Sequence, residues 1–245
     1  MKRAFAALRS ALAYFTILPL GPFASNVAPD PLAVSFLPFV GALVGAIAGI
    51  AAVAVAHYSN TWWPIAAWIV SIVLTGAIHI DGFLDSCDAL FASAPAPRRL
   101  EILHDPRHGT FAVTGMAVLT VTWIAAIAHA PLAHIVVTLA FVAALARVAA
   151  IGNALVFPYG RPGAVTAAFV QRPNLAVMGC GLVLTCVLGW LIDPMVFAIV
   201  PASIALSLLI GWWASRRLGG GLTGDVFGAI IVVVEVLTLL AVGAL

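Results

Sequence analysis

From residue 34 onward the chain is a succession of long apolar runs parted by short polar breaks, at 34–56, 62–78, 111–128, 135–157, 175–192, 195–214 and 226–245. None alternates with the period of two that a half-buried strand needs. At about 1.5 Å per residue each reaches across a hydrocarbon core roughly 30 Å thick, the second run only just. The stretch 175–214 is too long for one crossing, and Asp193-Pro194 divides it. Backbone inside lipid must satisfy its own hydrogen bonds, which leaves helices or closed barrels, and continuous runs of this length select helices. The pattern therefore predicts an all-α, polytopic transmembrane helix bundle of about seven spans, a single integral membrane domain over residues 1–245.

Two finer patterns add to this. Residues 1–19 set Phe5, Leu8, Leu12 and Phe15 at helical spacing among Arg9, Ser10, Tyr14 and Thr16. That stripe predicts an amphipathic helix lying in the membrane interface, with a signal peptide as the competing reading. In the first span Gly41, Gly45 and Gly49 recur every fourth residue, which predicts a face for close helix packing.

Composition agrees with the pattern. Hydrophobic residues make up 64% of the chain and charged ones 8%, against about 25% charged in soluble domains, so there is too little charge to cover a water-soluble globule. The mean hydropathy is +1.16. The net charge of +2 is small and the basic residues are dispersed, which argues against a nucleic-acid partner. Cys87, Cys180 and Cys186 have the spacing of neither a zinc site nor a disulfide framework. In a seven-span arrangement Lys2, Arg3, Arg9, Arg98, Arg99, Arg107, Arg161, Arg172, Arg216 and Arg217 all fall on one side. By the positive-inside rule that side is cytoplasmic, and the odd count puts the C-terminus outside. Arg147 and Glu235 are left inside spans, where a buried charge needs a partner; each is the natural partner of the other.

The chemistry concentrates in the cytoplasmic loop 79–110. Asp81, Asp85 and Asp88 stand at i, i+4 and i+7, one face of a helix. Three carboxylates so placed at a membrane surface repel one another, and a divalent cation would neutralise them; hard oxygen donors favour Mg²⁺ or Ca²⁺, and Mg²⁺ with phosphate oxygens is the usual enzymatic case. A solvated acidic helix start is the plainer alternative, for which Asp88 lies too far along. The loop continues with Arg98 and Arg99, which serve either phosphate binding or topology, and with Arg107 before Gly109-Thr110, a better phosphate candidate. His104 and His108 read as interfacial histidines first and proton-transfer groups second. A second polar group, Gly219-Gly-Gly-Leu-Thr223-Gly-Asp225, opens the last span and suits an anion at a helix N-terminus, or else simply a cap.

These motifs resemble the cobalamin synthase family, adenosylcobinamide-GDP ribazoletransferase. The family's His-x-Asp-Gly-x-x-Asp-x-x-Asp is matched by His79 through Asp88, after Leu74-Thr75-Gly76. Its Asp-x-Arg-x-Gly-Thr is matched by Asp105 to Thr110, and its Arg-Pro-Gly by Arg161 to Gly163. Its closing Gly-Gly-x-Thr-Gly-Asp-x-x-Gly-Ala is matched by Gly220 to Ala229, with Glu235 at the later acidic position. Phe15 to Pro19 and Pro38 to Gly41 fit its opening pieces, so the likeness runs in order along nearly the whole chain. Ile17, Ala112 and Val232 depart from it, where arginine, glycine and an acid are common.

The resemblance implies a Mg²⁺-dependent transferase, in vitamin B12 biosynthesis, that joins adenosylcobinamide-GDP to α-ribazole or its 5′-phosphate and releases GMP. It implies Asp81, Asp85 and Asp88 as catalytic metal ligands, with Asp225 or Asp88 as the base. His79, Arg107, Gly109, Thr110, Arg161, Thr223 and Glu235 would contact substrate. It further implies residence in the cell inner membrane, with the active site on the cytoplasmic face, and association with a second copy or with other late enzymes of the pathway. A CDP-alcohol phosphotransferase is the nearest rival, but its Ala-Arg is absent here, since Asp85 follows Leu84. A transporter is the rival of another class, and it would place more charge within the spans.

Overall fold

In a computed structural model, residues 2–20, 32–160 and 173–245 are described. Among them every long element is helical, and the only β pairing is an isolated bridge between Tyr159 and Leu222. Helix α1 covers Lys2–Phe15, α2 Leu37–Ala56, α3 Trp63–Leu74, α4 Ile78–Phe91, α5 Ala96–Ile102 and α6 Thr110–Ala128. Helix α7 covers Ile135–Val156, α8 Leu175–Ile192, α9 Ile199–Arg217 and α10 Gly224–Gly243. Among the described residues six segments, built on α2, α6, α7, α8, α9 and α10, are long and apolar enough to cross a membrane. The chain is an all-α polytopic membrane protein, as its apolar runs require.

The second predicted span is built on a helix shorter than its apolar run. That helix is 12 residues long, about 18 Å, and counts as a crossing only together with the bent segment that follows it. Gly76 and Ala77 then both adopt φ of 58°, and α4 leaves at 90° to α3. Hydropathy counts Thr75-Gly76-Ala77 as apolar chain and misses the break, because a left-handed turn is a backbone property. Loop 79–110 is correspondingly built of two helices, α4 and α5, which sit where the basic segments gather.

Helix α7 is the hub. Its apolar stretch is 83% buried against other helices, whereas that of the peripheral α8 is 17% buried and faces outward. The α2–α7 seam explains the glycine repeat. A Cβ on Gly41 would stand 2.5 Å from the Ala143 carbonyl oxygen, and one on Gly49 2.5 Å from Val136 Cα. At Gly45 it would fall inside the Leu139 carbonyl. With no water to expel between helices in lipid, attraction depends on such close backbone approach. Gly45→Ala is therefore expected to cost about 1–3 kcal/mol, the range for overpacking. Gly152→Ala, where a Cβ meets nothing within 4 Å, should leave stability unchanged. Thermal unfolding of the detergent-solubilised variants checks both.

Helix α1 buries Ala7 and Ala11 against the bundle and leaves Lys2, Arg3 and Arg9 exposed. It lies at the end of the bundle that also holds α4, α5, the C-termini of α7 and α9 and the N-termini of α6 and α10. At the opposite end Gly243 approaches His129.

Candidate active site

Helix α4 carries Asp81, Asp85 and Asp88 on successive turns of one face. Its first turn crosses the first turn of α10 at backbone contact. A Cβ on Gly82 would lie 2.8 Å from the Asp225 carbonyl oxygen, and one on Gly228 3.3 Å from His79 Cα. Two glycines, one from each helix, thus bring Asp225 beside Asp81. Both acids line a cavity of about 260 Å³, walled by Tyr14 and Phe15 of α1, Ile151 and Ala154 of α7, and Tyr159. Thr223, fully buried, donates from Oγ1 to Asp225 Oδ2 at 3.2 Å. His79 is buried with its ring stacked on Phe15, centroids 6.1 Å apart. Burial and, secondarily, the charge of Arg147 hold its imidazole well below the usual range, so it is neutral.

Asp85 lies one turn beyond Asp81 with its side chain 16% exposed. Burial and the charges of Asp81, Asp225 and Asp88 push its carboxyl up to about 6, while His108 pulls it the other way. His108 Nδ1 stands 3.8 Å from Asp85 Oδ1, too far for a hydrogen bond. Acids from two helices therefore share one field, short of positive charge.

Asp88 is employed differently. Its Oδ2 accepts from Gly109 N–H at 2.5 Å and its Oδ1 from Ala112 N–H at 3.0 Å, so it caps the N-terminus of α6 from another helix. This ties α4 to α6 and fixes Gly109; Thr110 opens α6 on the exposed side. Arg107 also stands apart from the cavity. Its side chain is 86% exposed and holds Asp105 through Nε at 2.9 Å and Nη2 at 2.8 Å, which pulls the Asp105 carboxyl down to about 2. Arg98 pairs with Glu101 on the surface. Arg99 is buried and donates to the carbonyls of Ala89, Leu90 and Ala94, closing the C-terminal end of α4. Neither the topological nor the phosphate reading of its sequence anticipated that cap.

Glu235 forms an ion pair with Arg147, the partner its position in the sequence suggested. Arg147 also donates to the Ala143 carbonyl at 3.1 Å. The pair borders a separate cavity of about 30 Å³, with His79 between it and the acidic cavity. Glu235 is ten residues, about 15 Å, along α10 from Asp225. Arg161 lies outside the described residues.

Three aromatic walls, Tyr14, Phe15 and Tyr159, were not among the site residues expected from the sequence. Tyr159 is placed by a short clip in which Gly160 N–H donates to the Leu222 carbonyl at 2.7 Å and Leu222 N–H to that of Pro158 at 2.9 Å. A Cβ on Gly221 would sit 2.6 Å from Gly160 Cα, and Gly219 and Gly220 turn the chain at φ of 88° and 115°. The glycine run thus seats the start of α10. The one available signal was adjacency: Tyr159 precedes Gly160-Arg161, and Tyr14 precedes the Phe15–Pro19 motif.

Among the described residues no three His, Cys, Asp or Glu side chains stand close enough to form a metal-ligand group as they are. The donors that share the field are all carboxylate oxygens, and burial and its acidic neighbours make Asp85 hold its proton unusually tightly. This set suits a hard divalent ion. Asp81 and Asp85 could hold it with Asp225 beside them, whereas both Asp88 oxygens accept from backbone amides.

Residues 7–243 match the family model described as cobalamin-5-phosphate synthase. A Deinococcus radiodurans protein named adenosylcobinamide-GDP ribazoletransferase is 36% identical, over 97% of this chain and 86% of its own. Proteins of the same name from Klebsiella pneumoniae and Desulforamulus reducens are 34% and 29% identical, over 83% and 94% of this chain and 84% and 93% of theirs. No solved structure matches the chain.

Proposed function

The chain belongs to the cobalamin-5-phosphate synthase family, and on that premise we propose that it joins adenosylcobinamide-GDP to α-ribazole, or its 5′-phosphate, releasing GMP. The observation that carries the reading is the crossing of α4 and α10, which sets Asp81 and Asp225 on one cavity with Asp85 a turn away. At about 260 Å³ that cavity lies just below the roughly 300–1,000 Å³ usual for small-molecule sites. It has room for a nucleoside or diphosphate portion and none for a corrin ring, which would stay outside.

In this reading a ribose hydroxyl of α-ribazole attacks the cobinamide-side phosphorus. A new P–O bond forms, the bridging P–O bond breaks, and GMP leaves. Asp225 takes the hydroxyl proton; of the two acids expected for that role it lines the cavity, while Asp88 caps α6. The rings of Phe15, Tyr14 and Tyr159 give planar bases an apolar wall and keep water from the reacting atoms. The neutral His79 adds no charge to the acidic field and offers a hydrogen bond at the cavity wall. Mg²⁺ held by Asp81 and Asp85 would neutralise diphosphate charge and make GMP a better leaving group. The basic segments gathered at this end support a site on the cytoplasmic face of the cell inner membrane.

Purified protein supplied with adenosylcobinamide-GDP and α-ribazole should release GMP, and chelation should stop it. CMP release from a CDP-lipid donor, with none of GMP from the corrinoid, would overturn the assignment. The acid–base state of Asp85 adds a signed expectation. Cation and proton compete for a carboxylate, so Mg²⁺ affinity should be full well above pH 6 and fall as the pH drops through about 6. Mg²⁺ titrations of the purified protein at pH 5, 6 and 7.5 read this directly.

A further inference from the structure

Away from the carboxylates, a groove of about 580 Å³ opens on the flank of the bundle between α6 and α9, with α10 as its floor. Val118 and Thr122 of α6, Ile210 and Trp213 of α9, and Val233 and Leu237 of α10 line it. Phe83, Cys87 and Leu90 reach it from the face of α4 opposite Asp81, Asp85 and Asp88, so it is separate from the candidate active site. Its surface is almost wholly apolar, which suits none of the phosphorylated substrates.

The end of the groove at the basic side has a particular construction. Phe91 packs against Phe111 and Trp213, with ring centroids 6.0 and 5.5 Å away. One turn beyond Trp213, the Arg217 guanidinium lies over the indole at 5.5 Å. Its Nη2 reaches the Ala92 carbonyl only at 3.5 Å, and its Nε is buried without a hydrogen-bond partner. An aromatic cluster topped by an under-satisfied cation is what a headgroup-level anchor looks like. From Phe111 to Thr122 the groove follows α6 for eleven residues, about 16 Å, roughly half of a 30 Å hydrocarbon core. It is one leaflet deep.

We propose that this groove holds one acyl chain of an anionic phospholipid from the leaflet at the basic end of the bundle, with Arg217 binding the headgroup phosphate. The depth matches a chain in a single leaflet, the apolar walls match methylenes, and the cation at the mouth sets the sign of the headgroup. A neutral zwitterionic lipid fits the walls equally well but gains less at Arg217.

Native mass spectrometry of the full chain in mild detergent tests this, with phosphatidylglycerol and phosphatidylcholine of identical chains as probes and glycerol phosphate as the chain-free control. Wild type should retain one phosphatidylglycerol in preference to phosphatidylcholine. Arg217→Gln should lower that preference roughly fivefold, the effect of one basic residue near an anionic headgroup, and Arg217→Lys should keep most of it. Val118→Trp projects into the groove from a position already 61% exposed, so it should fold normally and lose retention of both lipids. Equal retention of the two lipids by wild type, or undiminished retention by Val118→Trp, overturns the proposal. So does competition by glycerol phosphate as effective as that of the lipid, which would leave only an anion site. A dimer that Val118→Trp dissociates would assign the groove to a second copy instead.

Discussion

Asp81→Asn and Asp85→Asn are each expected to lower GMP release by on the order of 10³-fold or more, since a lost metal ligand removes several kcal/mol of transition-state stabilisation. Asparagine is isosteric and removes only the charge, so the variants should fold; indeed Asp85→Asn relieves a carboxyl already disfavoured by burial and by its acidic neighbours. Asp225→Asn should fall in the same class, because its carboxylate faces the same cavity. Asp88→Asn belongs elsewhere. Its amide can accept only one of the two backbone N–H bonds the carboxylate now takes from Gly109 and Ala112. The expected result is a loss of about 1 kcal/mol of stability, as for a lost helix cap, and a smaller loss of turnover. GMP release and unfolding temperature measured on all four variants separate the classes. Near-normal turnover in Asp81→Asn and Asp85→Asn would end the metal assignment, and a collapse in Asp88→Asn as deep as theirs would restore Asp88 to the ligand set.

The second large effect is structural. Arg147→Met should destabilise the protein by about 3–5 kcal/mol, because it leaves the Glu235 carboxylate buried without its cation. The Arg147 side chain is 4% exposed and that of Glu235 16%, so water relieves little of this cost. The double variant Arg147→Met, Glu235→Leu should recover most of the loss, since neither charge then has to be kept out of water. Thermal unfolding in detergent reads the stability, and GMP release by the same samples reads function. If the pair is structural, the double variant stays active; if Glu235 touches substrate, it folds and is inactive. Its separation of about 15 Å from Asp225 along α10 favours the first outcome.

Much of the architecture was legible without coordinates. Lipid forces each crossing to be one continuous apolar run, so the positions of α2, α6, α7, α8, α9 and α10 follow from local composition alone. The Gly41, Gly45, Gly49 face is legible for the same kind of reason, because backbone contact leaves room for nothing larger than hydrogen. Arg147 and Glu235 were the two opposite charges within spans, and burial left each with little choice of partner. The bend that ends α3 was not legible, because hydropathy is blind to the left-handed pair Gly76-Ala77.

What the sequence determined by itself, then, is whatever the bilayer imposes on neighbouring residues: which segments cross, which face carries glycine, and which loops share a side. Only the tertiary structure decided the work of each polar group. It gave Asp225 the cavity and Asp88 the cap of α6, turned Arg107 outward onto Asp105, and spent Arg99 on the end of α4. Those outcomes depend on where α4 crosses α10 and on partners such as Gly109, 21 residues from Asp88. Solvent acts on every residue where it stands, whereas a crossing is set by contacts between distant ones, and no spacing along a single helix encodes it.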